Sequence, residues 1–461
     1  MRLLALAVLS AAGLMTILDG SIVTVAMPAI QQDVGFTPAE LSWTVNAYLI
    51  PFGGLLLLAG RLGDLIGRRT VFLAGTVVFT AASLLAGFAG SPAMLIAARF
   101  LQGVGSALAS AVVLGILVTI FTEPGERARA IAVFSFTGAA GASIGQVLGG
   151  VLTDVLSWPW IFFINVPIGI ATVALALVAL PRDRGAGPAA GADVLGALLV
   201  TSGLMLGIST IVTGRHPLVL GGVSLMLIVL FVVRQATAAN PLMPLRILRS
   251  RTVTGANLAQ MLTVAGMFAF QVLVALYTQQ VLGYGALGTG LAMLPAAVGI
   301  GIVSLFVSAR LGERFGPRAI LLAGLVMLAA AMGWLARIPV DADYVTDLLP
   351  VMLLISGGGL VLPALANLGM SGAAESDAGL ASGLFNTTQQ AGMAIGVAVL
   401  STVAAARTDR LLAGGAPAAE ALTGGYRLAF ATSAGLLITA FLVGLFVLRR
   451  PAVAATSPMI R

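Results

Sequence analysis

Apolar runs of about twenty residues recur along the whole chain, separated by short segments that hold nearly all of its charge. A membrane-crossing helix needs about 20 mostly apolar residues. A membrane β-barrel would instead show segments of about ten residues with alternating polarity. Open strands cannot span, because their unpaired backbone groups are too costly in lipid. The pattern therefore predicts an all-α integral membrane protein. Fourteen runs qualify: residues 5–28, 41–59, 70–90, 93–121, 130–153, 160–180, 194–213, 218–234, 254–281, 288–308, 319–336, 348–370, 379–405 and 428–448. The first resembles a signal peptide as far as Ser10-Ala11-Ala12. It continues to Pro28, too long for a signal's apolar region, and is taken as the first span.

Composition agrees. Of 461 residues, 59% are hydrophobic and 9% charged, against about 25% charged in a soluble protein. A soluble enzyme and a disordered chain are both excluded. The absence of cysteine excludes disulfides, thiolate metal sites and cysteine nucleophiles. A single histidine, His216, excludes a multi-histidine metal centre. Neither a metal nor a cofactor is expected. All 24 basic residues are Arg, so no phosphate-binding Gly-x-x-x-x-Gly-Lys loop exists. Transport, if any, must draw on an ion gradient or run downhill.

A net charge of +7 would suggest nucleic acid in a soluble protein. Placed on the spans, it records orientation instead. With the N-terminus inside, only Arg215, Arg337, Arg407, Arg410 and Arg427 fall outside and Arg99 falls within a span, leaving 18 of 24 on the inner side. Basic residues set topology in this way. Both termini are then cytoplasmic, the lipid bilayer is the surrounding medium, and no nucleic-acid partner is expected.

The spans group as six, two and six. The boundaries are an N-terminal six-helix bundle over 1–181, two inserted helices with cytoplasmic linkers over 182–252, and a C-terminal six-helix bundle over 253–461. Turn formers mark the linkers at Pro181–Asp193 and Gln235–Thr252, the latter containing Asn240–Arg246. The segment Gly60-Arg61-Leu62-Gly63-Asp64-Leu65-Ile66-Gly67-Arg68-Arg69 follows the second span. At an offset of 249 residues, Ala309–Arg318 follows the tenth and repeats Arg, Leu, Gly, Gly and Arg. Two related six-helix halves are typical of secondary transporters, with the substrate site between them near the bilayer midplane.

Several residues carry candidate chemistry. Gly60, Arg61, Gly63, Asp64, Gly67, Arg68 and Arg69 form a charged turn that can bias two conformers, or simply fix topology. Gly138, Gly141, Gly145 and Gly149 make one smooth helix face, for packing or for gating. Asp19 is the only acid within a span and Arg99 the only base. A buried carboxylate costs at least about 2.5 kcal/mol in the bilayer. It must face a cavity or partner, or be protonated, which suits either a proton carrier or a structural bond. Arg99 cannot practically deprotonate, so it modulates a nearby acid or clamps backbone carbonyls. In-span amides serve as interhelical bonds or cargo contacts. The cavity candidates are Asn46, Gln102, Asn165, Asn257, Gln260, Asn386 and Gln390.

Beyond these readings, the chain resembles the major facilitator superfamily, in particular its fourteen-span drug:proton antiporters. The resemblance rests on Gly60–Arg69, Leu18–Pro28, Trp43–Tyr48, Arg99–Gly105 and Trp160–Gly169, which occur in the family's order. It implies the major facilitator fold and export driven by the proton gradient. Asp19 and Arg99 are then the proton-coupling pair. Gly60–Arg69 is the conformational switch loop, and Gly141, Gly145, Gln146, Gly149 and Gly150 belong to the antiporter helix. Two positions depart from the pattern: Gln146 replaces the antiporter motif's Pro, and Gln389 stands where Arg is frequent. The expected activity is proton-coupled export of a lipophilic, neutral or monocationic drug by a monomer in a bacterial inner membrane. The alternatives are facilitator transport of a native metabolite, lipid or nutrient, and, more remotely, a membrane enzyme or sensor.

Overall fold

A computed structural model describes residues 2–37, 40–183, 185, 193–214, 216–239, 241–242, 245–371 and 378–448. The expectations for Met1, Arg184, Arg215, Asn240, Arg449, Arg450 and Arg461, and for Gly138's place on a helix face, lie outside the described residues. The long helices are α1 (Arg2–Val34), α2 (Trp43–Ile66), α3 (Arg68–Gly87), α4 (Pro92–Ile120), α5 (Pro124–Val155), α6 (Trp160–Ala179), α7 (Val194–Thr213), α8 (Pro217–Thr237), α9 (Arg251–Gln280), α10 (Ala286–Ser308), α11 (Pro317–Leu335), α12 (Tyr344–Met370), α13 (Ala378–Ala413) and α14 (Ala418–Phe446). Among the described residues there is no strand, and thirteen helices are long and apolar enough to cross a membrane. In α5 the apolar stretch found among those residues is Ile144–Val155. The chain is a multi-pass membrane protein.

Local chemistry sets the helix ends. Pro92 opens α4 behind Ser91, whose side chain accepts the Met94 N–H at 3.3 Å. Asp193 caps α7 through Gly196 N–H at 2.9 Å and also accepts from Arg234 Nε and Gln235 Nε2 at the end of α8, each at 2.9 Å. Helices α7 and α8 are thereby tied into a hairpin. Helix α1 runs past the expected stop at Pro28 to Val34, with Pro28 inside it. Neighbouring helices in a bundle can accommodate such a proline.

Helices α1–α6 pack mainly on one another, as do α9–α14. In lipid, apolar burial alone does not draw helices together, so close backbone approach takes its place. A side chain added at Gly105 of α4 would place its first carbon 2.5 Å from Phe79 N and 2.7 Å from Gly75 O of α3. Crossings of α1 with α9, α2 with α13 and α5 with α10 join the two groups. Helix α7 lies against both α2 and α13, whereas most of α8 faces outward.

The repeated loops adopt one backbone design. Gly67 ends α2 and precedes α3 with φ +98°, and Gly316 precedes α11 with φ +82°. Only glycine takes such angles without strain. Gly67 N–H bonds Gly63 O at 3.1 Å, and Gly316 N–H bonds Gly312 O at 2.9 Å, both pairs separated by the repeat's offset. The equivalence extends to side chains. Arg69 Nη2 donates to Leu177 O, near the end of α6, at 2.6 Å. Its counterpart Arg318 donates to Gly444 O at 3.2 Å and to Leu445 O, at the end of α14.

Candidate functional site

Five helices converge on Asp19. Its Oδ2 accepts Arg99 Nη1 at 2.5 Å. Its Oδ1 accepts Gln102 Nε2 at 3.1 Å and Asn165 Nδ2 at 3.0 Å. Arg99 Nη1 also bonds Gln102 Oε1 at 2.9 Å, and Arg99 Nε donates to Thr44 O at 2.8 Å. Gln102 Nε2 reaches Ser83 Oγ at 2.8 Å. The guanidinium carbon lies 4.5 Å from the centre of the Tyr48 ring and 5.8 Å from that of Phe162, within cation–π range. Tyr48 in turn bonds Ser106 Oγ at 3.0 Å.

The cluster is dry. Asp19, Gln102, Asn165 and Ser83 are fully buried, and Arg99 is 1% exposed. Arg99 and Gln102 are three residues apart on α4 and therefore share a face. Oδ1 accepts two hydrogen bonds and Oδ2 one, and all three donors are held by the carboxylate's negative charge, so losing that charge would loosen them. The arrangement can thus serve as a two-state element, with the pair closed or with one donor withdrawn. Gln102 and Asn165, expected beside a substrate cavity, donate instead to Asp19. Sequence reading identified all four residues but not their mutual bonding. Thr44 and Tyr48 stood in the Trp43–Tyr48 motif without an assigned role, and Ser83 was not marked; they supply a carbonyl, a ring face and a hydroxyl.

The Gly60–Arg69 turn is a second centre. Arg68 Nη2 pairs with Asp64 Oδ1 at 3.1 Å, and Arg68 Nη1 donates to Gly115 O of α4 at 3.1 Å. Asp183, in the following linker, accepts the backbone N–H groups of Arg68 at 2.6 Å and Arg69 at 3.1 Å. It therefore caps α3. Nothing local in the sequence marks Asp183 for this, because its partners lie more than a hundred residues away. A cavity of about 210 Å³ lies here, lined by Asp64, Arg68, Arg69, Thr119 and Asp183 among others.

The small residues of α5 divide between two partners. First carbons added at Gly141, Gly145 and Gly149 would meet Leu14, Leu18 and Ile22 of α1. Gly150 instead meets α10, 2.6 Å from Leu287 Cα, and Gly290 of α10 lies 2.5 Å from Gln146 O by the same measure. Among the other amides, Asn257 Oδ1 accepts Thr388 Oγ1 of α13 at 2.7 Å. Among the described residues, both polar side-chain atoms of Asn46, together with Gln260 Oε1 and Gln390 Oε1, are buried without a hydrogen-bond partner. Asn386 is half-buried on α13.

Comparison with known proteins agrees with this architecture. The family model described as Major Facilitator Superfamily matches residues 9–397. The chain is 37% identical to the puromycin resistance protein of Streptomyces alboniger over 95% of this chain and 90% of that one. It is 40% identical to the cephamycin export protein of Amycolatopsis lactamdurans over 88% and 85%. The crystal structure of an auto-inhibited peptide transporter of the POT family superposes with a TM-score of 0.70 at 18% identity, over 99% of each chain. At that identity the likeness speaks for the fold alone. The chain belongs to the major facilitator superfamily and is a transporter, not an enzyme.

Proposed function

We propose that the protein is a proton-coupled exporter of lipophilic drugs or antibiotics, working by alternating access in a bacterial inner membrane. The carrying observation is whole-length similarity to an antibiotic resistance protein and an antibiotic export protein. The proposed topology is fourteen spans in a 6+2+6 order, with units 1–181, 182–252 and 253–461 and both termini cytoplasmic. The matching loop geometries at Gly67 and Gly316 support two related six-helix units.

In this mechanism the Asp19–Arg99 cluster is the coupling element. Protonating Asp19 removes its attraction for Arg99, which keeps Thr44 O and the Tyr48 ring as partners. Because α1, α2, α3, α4 and α6 all contribute, a change at Asp19 shifts α1 against its neighbours. Helix α1 also touches α9 and α10, so the shift biases the relation of the two units. Asp64 and Arg68 stabilise the outward-facing form at the inner surface. The unpartnered polar atoms of Asn46, Gln260 and Gln390 are the cargo contacts this reading favours. A monomer suffices, and a neutral or monocationic cargo fits a site with a single in-span acid, itself already paired.

The test is a toxicity panel in an efflux-deficient bacterial host. Expression is expected to raise the inhibitory concentration of at least one lipophilic antibiotic several-fold, and a protonophore is expected to abolish that gain. Protection that survives the protonophore contradicts proton coupling. No shift for any compound contradicts drug export and favours a native metabolite.

A further inference from the structure

Contacts between the α1–α6 group and the α9–α14 group differ by face. Toward the Gly60–Arg69 loop, α2 meets α13, where Leu57 packs on Gly383 and Gly53 on Gln390. On the opposite face, three sets of hydrogen bonds cross among the described residues. Gln279 Nε2 donates to Val25 O at 2.9 Å, and Gln280 Nε2 donates to Gln31 Oε1 at 3.3 Å. Asp154, near the end of α5, accepts the N–H groups of Ala286 at 3.1 Å and Leu287 at 2.7 Å, the first two residues of α10.

We propose that Asp154 is the latch of the outer gate. Its carboxylate, seated on the N-terminus of α10, holds the outer mouth shut while cargo loads from inside, and it releases when α5 and α10 separate. The proposal rests on the orientation and alternating access proposed above.

Three features single out this residue. First, its bonds join the two groups, so rocking one group against the other must break them. The Asp19–Arg99 pair lies inside one group and can survive the same motion. Second, a carboxylate on two free N–H groups at a helix start combines hydrogen bonding with a favourable helix dipole. Third, Asp154 is exposed. Water can replace the N–H groups as the gate opens, so the bond is weak enough to break in every cycle. The close contacts of Gly150 with Leu287 and of Gly290 with Gln146 add to the seal but have no charge to give it direction.

The absence of cysteine allows clean site-directed labelling of the full-length protein. Spin labels at Leu156→Cys and Gly288→Cys would report the separation of the outer ends of α5 and α10. Asp154→Ala is expected to raise the ratio of the long to the short distance about fivefold, the effect of losing a typical cap. It is also expected to raise the KM for cargo offered from inside more than it lowers kcat. Asp154→Glu is expected to restore both, and Asp154→Asn, which keeps one acceptor and also serves if the alanine variant misfolds, to fall between. Unchanged distances in the alanine and asparagine variants would overturn the latch, as would a glutamate variant no better than alanine. A single distance in the unmodified protein under every cargo and pH condition would overturn alternating access itself, and the latch with it.

Discussion

Replacing Arg99 with methionine is expected to abolish transport and to lower stability by about 3–5 kcal/mol, the usual cost of removing one partner of a buried ion pair. The magnitude follows from what would be left behind. Asp19 would keep Gln102 and Asn165 on Oδ1, but its Oδ2 would lose its donor in a site fully shielded from solvent. Thr44 O and Gln102 Oε1 would lose Arg99 as a donor as well. Methionine fills much of the volume, so the loss is electrostatic rather than a cavity. The second variant, Arg99→Met with Asp19→Asn, removes both charges and is expected to recover most of the lost stability without recovering transport. Thermal unfolding in detergent measures both. A single variant that melts with the unmodified protein would contradict the buried pair, and a double variant no more stable than the single one would contradict the charge argument.

Gly150→Val is expected to lower the transport rate at least about tenfold, because its obstacle is backbone. The first added carbon would sit 2.6 Å from Leu287 Cα and 2.7 Å from Ala286 O. No rotamer change of a neighbour relieves such a contact, so α5 and α10 must move apart. Overpacking of this kind costs about 1–3 kcal/mol, and here the cost falls only on conformers in which the two helices touch. By contrast, Gly333 meets nothing within 4 Å, and Gly333→Ala is expected to transport normally. Initial export rates in everted vesicles, corrected for protein amount, compare the two. A normal rate for Gly150→Val would show that the α5–α10 crossing does not need to close this tightly during transport.

Most spans were legible because the bilayer imposes length and apolarity, and thirteen helices among the described residues meet that requirement. The relation of the two charged loops was also legible, since Gly67 and Gly316 must be glycine at positive φ whatever surrounds them. What the spans do to one another was less so. Gln102 and Asn165 showed as polar residues in apolar runs, but an amide's partner has no sequence mark. The same holds for Asp154 and Asp183, whose partners are backbone N–H groups of distant helix starts. The glycines of α5 form a periodic stripe, yet the division between α1 and α10 depends on helix crossing geometry. Pro28 marked a stop that a long buried helix does not obey.

Asp19→Asn bears most directly on the coupling mechanism. Asparagine keeps one oxygen as an acceptor for the neighbouring amides, while Arg99 retains Thr44 O, Gln102 Oε1 and the Tyr48 and Phe162 rings. Arg99 then lacks a counter-charge, so this variant too is expected to lose stability, and the assay compares equal amounts of folded protein. In everted vesicles loaded with a proton reporter, adding cargo to the unmodified protein should release protons from the lumen. With Asp19→Asn, that release should vanish while the protein stays folded and cargo still binds. Undiminished cargo-driven proton release from Asp19→Asn would contradict the assignment of Asp19 as the coupling site.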